Sequence, residues 1–291
     1  MIDYILKCLN KLYLCRVCTI FLLVILFLLM GQSCMRMRSS SYETISFFNK
    51  AKIPFSQRKI QFDGYDMNFV ETGSKENPPL IFVHGSPGSW NAYKKYLTDS
   101  LLLKKYRLIA LDRPGFGYSD FADAQNLIIQ TKRILALIDT LDLKKKVILV
   151  GHSYGGPLVL SLTTMRPQLF EHTVVLSGSV DPNLENPEKW RLFFMSKPMR
   201  YFVPGALRPS NDELWWLKKD LFDLQPTLKK ITGKVTVIHG DKDRLVPYGN
   251  MKFMQLYLEN TSKTDTLTIK RADHFIPWSH FDIIRDKLYN L

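Results

Sequence analysis

The sequence predicts an α/β protein with a mostly parallel sheet flanked by helices. Three observations lead there. Short apolar runs recur along the chain, among them PLIFV, RLIAL, KVILV and TVVL. Stretches with helical spacing of apolar residues separate them, such as AQNLIIQTKRILALIDTL at 124–141. Most runs end abruptly in glycine, aspartate or histidine. Short apolar strands alternating with helices imply βαβ crossovers, and ligands of such sheets sit at the carboxyl ends of the strands.

In order, residues 35–57 read as a tether. KIQF-DG-YDMNFVETG (59–73) is a hairpin, because Asp-Gly between alternating apolar residues favours a two-residue turn. Strand 79–83 leads into helix 90–102, strand 107–112 into helix 124–141, and strand 146–151 into helix 156–165. Strand 173–179 is followed by an aromatic-rich stretch, 181–233, with helical fragments and no clear strand. Strand 234–240, helix 248–260, strand 265–270 and a closing helix at 277–291 complete the chain.

The 291 residues suit one large domain plus a leader. The net charge of +13 is dispersed in short pairs such as Lys94-Lys95 and Lys229-Lys230. No aromatic-interleaved basic motif accompanies it, so solvated helix faces explain the charge and no nucleic-acid partner is expected. All four cysteines fall within the first 34 residues. The body therefore holds no disulfide framework, cysteine nucleophile or zinc–thiolate site.

Residues 17–30 carry no charge and follow Lys7, Lys11 and Arg16. A basic segment before a short apolar core is a secretory signal pattern. Fourteen helical residues span about 21 Å, short of the roughly 30 Å hydrocarbon core. Extension back to Leu12 includes Arg16. The following G-Q-S-C resembles a bacterial lipobox, with Gly31 where a bulky aliphatic residue is usual, and implies lipidation at Cys34. An uncleaved anchor and a plain cleaved signal are the alternatives. All three place the domain outside the cytosol, with a membrane as partner in the first two.

Chemistry concentrates after the strands: HGSPG (84–88), GHSYG (151–155), HGDKDRLVP (239–247) and RADHF (271–275). In this content and order the chain resembles the α/β-hydrolase family over residues 60–291. The resemblance implies an eight-stranded sheet, with a core at 58–180 and 234–291 and a helical cap at 181–233 inserted after strand six. Residues 1–33 are then the leader and 34–57 the tether. In G-x-S-x-G between strand and helix, a tight turn projects the serine oxygen, and Gly151 and Gly155 keep side chains out of the way.

The resemblance implies Ser153 as nucleophile, His274 as base and Asp243 as the acid orienting it. Asp181, after the strand at 173–179, is a rival acid; Asp241 shapes a turn. His84 and His239 read as structural, His152 sits on the elbow itself, and His172 and His280 lie on surface or helix positions. The backbone N–H groups of Ser86 and Tyr154 would hold an oxyanion. Cap aromatics, from Trp190 to Phe222, could line an apolar pocket or pack the cap onto the core.

The expected function is a serine hydrolase acting through an acyl-enzyme on an ester, thioester or amide of a small apolar molecule, with no cofactor and no metal. Serine at the elbow argues against dehalogenase and most epoxide-hydrolase chemistry, which use aspartate there. A C–C bond hydrolase, a lyase using the same triad, and a non-catalytic binding protein are the other readings.

Overall fold

The computed structural model describes residues 2–291, with side chains except those of residues 2–10, 12, 28 and 32–34. Eight strands form one sheet: β1 Phe55–Phe62, β2 Tyr65–Thr72, β3 Pro79–Val83, β4 Arg107–Leu111, β5 Val147–His152, β6 Phe170–Leu176, β7 Lys234–Gly240 and β8 Lys263–Ile269. The spatial order is β1-β2-β4-β3-β5-β6-β7-β8. The pairs β1/β2 and β2/β4 are antiparallel and the rest are parallel. The hairpin turns at Asp63 and Gly64, both at positive φ (50° and 72°), the backbone that an Asp-Gly turn of the primed type needs.

The central strands are buried on both faces, which is why they read as unbroken apolar runs. In β3, Ile81 and Val83 join one core cluster, while Leu80 and Phe82 join the other. Helices Leu127–Asp139 and Gly155–Met165 cover the first face. Every residue of the second helix except Met165 is buried, so it has no polar stripe. Helix Phe281–Tyr289 and Trp90, Tyr93 and Tyr96 cover the other face.

Three expectations need correction. Residues 34–57 are not a simple tether. Ser40 and Glu43 form a capping box that starts helix Ser41–Ala51, and Phe48 on that helix is fully buried, stacked on Phe55 at 4.3 Å. The helix expected over 90–102 is broken into turn Trp90–Tyr93, helix Lys94–Leu97 and helix Ser100–Lys105. Asp99 starts the last of these by accepting hydrogen bonds from the Leu101 and Leu102 N–H groups. The closing helix is likewise split into Ile276–Ser279 and Phe281–Tyr289.

Residues 181–233 fold as helix Trp190–Met195, turn Met199–Phe202, helix Leu207–Leu224 and turn Gln225–Lys230. The N-terminal helix runs Ile2–Cys34, and within it Tyr13–Gly31 is long and apolar enough to cross a membrane. The side chain of Cys34, the expected lipidation site, lies outside the described residues.

Candidate active site

Parallel β3, β5, β6, β7 and β8 end on one side of the sheet, and the four motif loops gather there. β5 ends at His152, Ser153 follows at φ 55°, and the next helix starts at Gly155. A non-glycine residue at positive φ is strained and persists only where its surroundings hold it. Three hydrogen bonds hold this one: the Ser153 N–H donates to the Leu176 carbonyl (3.0 Å), and the Ser153 carbonyl accepts from the N–H groups of Gly156 (2.9 Å) and Ser179 (3.4 Å). A Cβ at Gly151 would collide with the Gly155 carbonyl, and one at Gly155 with that of Val83. Both glycines of the motif are therefore required by close backbone approach.

His274 follows β8, and its Nδ1 lies 2.7 Å from Oδ2 of Asp243 in the loop after β7. Oδ1 of Asp243 accepts from the N–H groups of Leu245 (3.0 Å) and Val246 (2.8 Å). His239 Nε2 approaches the same Oδ2 at 3.3 Å and donates to the Val246 carbonyl at 3.0 Å. Burial opposes ionisation of Asp243, but the hydrogen bonds from His239, His274 and the Val246 N–H outweigh it and hold the carboxyl well below its ordinary range. An anionic Asp243 fixes His274 with its Nδ1 protonated, which leaves Nε2 to act as a base.

The rival acid is elsewhere: the carboxylate of Asp181 accepts from the Asn183 N–H in its own turn. Asp241 accepts from the Arg271 N–H, shaping a turn as expected. His152 Nε2 donates to the His274 carbonyl at 3.0 Å; burial, then the neighbouring His274, pushes its pKa down to about 3. It is a neutral strut for the His274 loop. His84 is also a strut, with Nδ1 donating to the Gly85 carbonyl (2.7 Å) and Nε2 accepting from the Arg113 N–H (3.0 Å). His172 pairs with the Thr236 hydroxyl, and His280 with Ser279.

Ser153, His274, Ser86 and Tyr154 line one cavity of about 670 Å³, in the size range of small-molecule sites. Among the described residues, no hydrogen bond engages the backbone N–H of Ser86 or of Tyr154. Leu184, Leu214, Leu217, Val246, Phe275 and Trp278 supply apolar wall, and Glu185 and Arg191 a polar margin. None of the cap aromatics from Trp190 to Phe222 borders the cavity. The described residues contain no cluster of His, Cys, Asp and Glu suited to a metal ion.

Sequence reasoning missed two groups. His239 is a second partner of Asp243. Arg113 is a completely buried cation that donates to both carboxylate oxygens of Glu213 (2.7 and 2.8 Å) and to the Gly85 carbonyl (3.0 Å). It joins helix Leu207–Leu224 to the loop carrying Ser86. The Ser86 hydroxyl adds a bond to Ser210 of the same helix at 2.7 Å. The D-R-P in DRPGFG was a visible cue for Arg113; nothing local marked Glu213.

An eight-stranded, mostly parallel sheet of this order with these strand-end loops has the α/β-hydrolase fold, and the chain is similar to hydrolases of that fold. The family model described as alpha/beta hydrolase fold matches residues 78–201. The chain is similar to the uncharacterized hydrolase YugF of Bacillus subtilis (strain 168), 26% identical over 270 residues, covering 79% of this chain and 96% of that protein. It is also similar to epoxide hydrolase 3 of Xenopus tropicalis, 27% identical over 149 residues, 50% of this chain but only 38% of that protein. Among solved structures, a membrane phospholipase A described as a bacterial virulence factor superposes with a TM-score of 0.59 at 16% identity, with full coverage of both chains. At that identity the likeness is one of fold.

Proposed function

We propose that this hydrolase is a serine hydrolase that cleaves an ester, thioester or amide of a small, largely apolar substrate through an acyl-enzyme. Ser153 attacks the carbonyl carbon while Nε2 of His274 takes the hydroxyl proton. Asp243 holds the imidazole and stabilises its cation. The backbone N–H groups of Ser86 and Tyr154 receive the oxyanion, and His274 returns the proton to the leaving group. Water then repeats the sequence on the acyl-enzyme.

The observation that carries this reading is the joining of a strained Ser153 and a 2.7 Å His274–Asp243 bond at one cavity. Similarity to an epoxide hydrolase does not transfer that chemistry, because the elbow here holds serine. Labelling by a fluorophosphonate tests the proposal. Adduct mass on the peptide containing Ser153 is expected; folded protein that takes no label there would refute the acyl-enzyme.

The leader's role belongs to the same proposal. Either a lipidated Cys34 or the uncleaved helix holds residue 35 at a membrane, with the domain outside the cytosol. The mass of the purified N-terminus separates the two.

A further inference from the structure

We infer that the cap is a membrane-docking face and that the substrate is an acyl ester drawn from the bilayer into the cavity beneath it. This rests on the serine-hydrolase reading for its chemistry and on separate observations for its geometry. On the cap, Trp190, Leu192, Phe193, Tyr201 and Phe202 are between 46% and 58% exposed. Helix Trp190–Met195 lies beside turn Met199–Phe202, so the exposed apolar residues sit on adjoining elements of the cap. Contiguous exposed apolar patches mark interaction surfaces, and tryptophan and tyrosine suit a membrane interface because their rings are apolar and their tips polar. Exposed Lys189 and Lys197 flank the helix, the placement that anionic headgroups attract.

What selects a bilayer as the partner is continuity with the leader. The Met35 carbonyl, just past the apolar helix, accepts from the Ala206 N–H at 2.7 Å. A Cβ at Gly205 would collide with that same carbonyl, and a Cβ at Gly31 would come within 3.4 Å of the Pro204 side chain. The cap segment after Phe202 thus sits on the point where the chain leaves the membrane, whether it is held by the helix or by a lipid on Cys34. The same two features border the cavity. Met37, two residues past Met35, lines it and is fixed by the Ser89 hydroxyl donating to its carbonyl at 2.6 Å. Arg191 lines it from the helix whose other faces carry Trp190, Leu192 and Phe193. An acyl chain leaving the bilayer between these elements reaches Ser153 without crossing water.

The test uses the full chain reconstituted into phosphatidylcholine vesicles containing phosphatidylglycerol. One substrate is a pyrene-labelled long-chain acyl ester embedded in the vesicles; the other is water-soluble p-nitrophenyl butyrate. The combined variant Trp190→Ser, Phe193→Ser, Tyr201→Ser, Phe202→Ser is expected to lose about tenfold or more on the embedded ester and to stay within about twofold of wild type on the soluble one. Equal rates on both substrates, or equal losses on both, would overturn the inference. A second readout does not depend on that variant folding. The fluorescence lost in Trp190→Phe, taken as wild type minus variant, should be quenched by lipids brominated near the headgroup; an unquenched Trp190 overturns the docking face. Ser153→Ala separates the two claims: persistent hydrolysis of the soluble ester in that variant refutes the serine reading, while Trp190 quenching reports on docking alone.

Discussion

At the ends of β3, β5, β7 and β8 the apolar residues lie inward and a few polar groups gather over the cavity. In the cap the pattern is partly reversed, although Leu217, Leu221 and Leu224 are buried there in the ordinary way. Helix Leu207–Leu224 buries Ser210, Asn211, Asp212 and Glu213, while Trp190, Phe193, Tyr201 and Phe202 face outward. The reversal has a physical cause. The sheet covers itself with apolar helices, so its core obeys the hydrophobic pattern. The cap also covers a buried arginine, so the part of its inner face over that charge must be polar or leave the charge unpaired. Hydrophobicity therefore predicts burial throughout one region and only in part of the other.

The strand-end region breaks most sharply at the proposed nucleophile. Ser153→Ala should lower kcat/KM by about 10⁴–10⁶ with the melting temperature nearly unchanged, since the side chain contributes chemistry rather than packing. Asp243→Asn should cost about 10³–10⁴, because an amide cannot stabilise the imidazolium and can favour the wrong tautomer. Ester hydrolysis measured beside circular dichroism checks both. A folded Asp243→Asn with near wild-type rate would show that His239 or another group orients His274.

Legibility in the sequence follows the same division. Ser153, Asp243 and His274 could be read because each follows an apolar run that fixes where the strand ends, so a local motif implied a spatial position. The capping box at Ser40 and Glu43, which the tether reading passed over, explains why residues 34–57 hold a helix. His239 was legible as a strand-end residue but not as a partner of Asp243, since a four-residue spacing in a loop implies no contact. Arg113 and Glu213 lie 100 positions apart, and no periodicity links them. The cap aromatics could be recognised as a group, but hydrophobicity says how much area a side chain offers and not what covers it.

The buried pair sharpens the contrast within the cap. Glu213→Ala leaves Arg113 charged, buried and without its bidentate partner, which should lower unfolding stability by about 3–5 kcal/mol. Trp190→Ser, on the exposed face, should change it by no more than about 0.5 kcal/mol. Replacing both members, Arg113→Met with Glu213→Leu, should recover much of the loss, because two apolar side chains avoid the desolvation that the pair incurs. Urea denaturation measures all three. If Glu213→Ala is no more costly than Trp190→Ser, the cap is not held through this pair and its polar inner face needs another cause.

The smallest effect concerns a histidine away from both regions. His172, on β6, is held by the Thr236 hydroxyl, and burial, followed by Lys234 and Lys287, pushes its pKa down to about 4; Asp265 acts the other way and Lys263 adds to the depression. The unfolded chain binds this proton near pH 6.5 and the folded chain does not, so stability is complete above that pH and declines as pH falls towards 4. Buried Asp112, pushed up to about 6 by desolvation, has the opposite sign, so the total pH profile mixes the two. A difference measurement isolates the histidine. Wild type and His172→Gln should differ by a constant melting offset above pH 7, with wild type falling relative to the variant by about 2–4 °C as pH is lowered to 4. Thermal melts across that range decide it: an offset that does not move with pH would mean that His172 takes up its proton in the folded protein as readily as in the unfolded one.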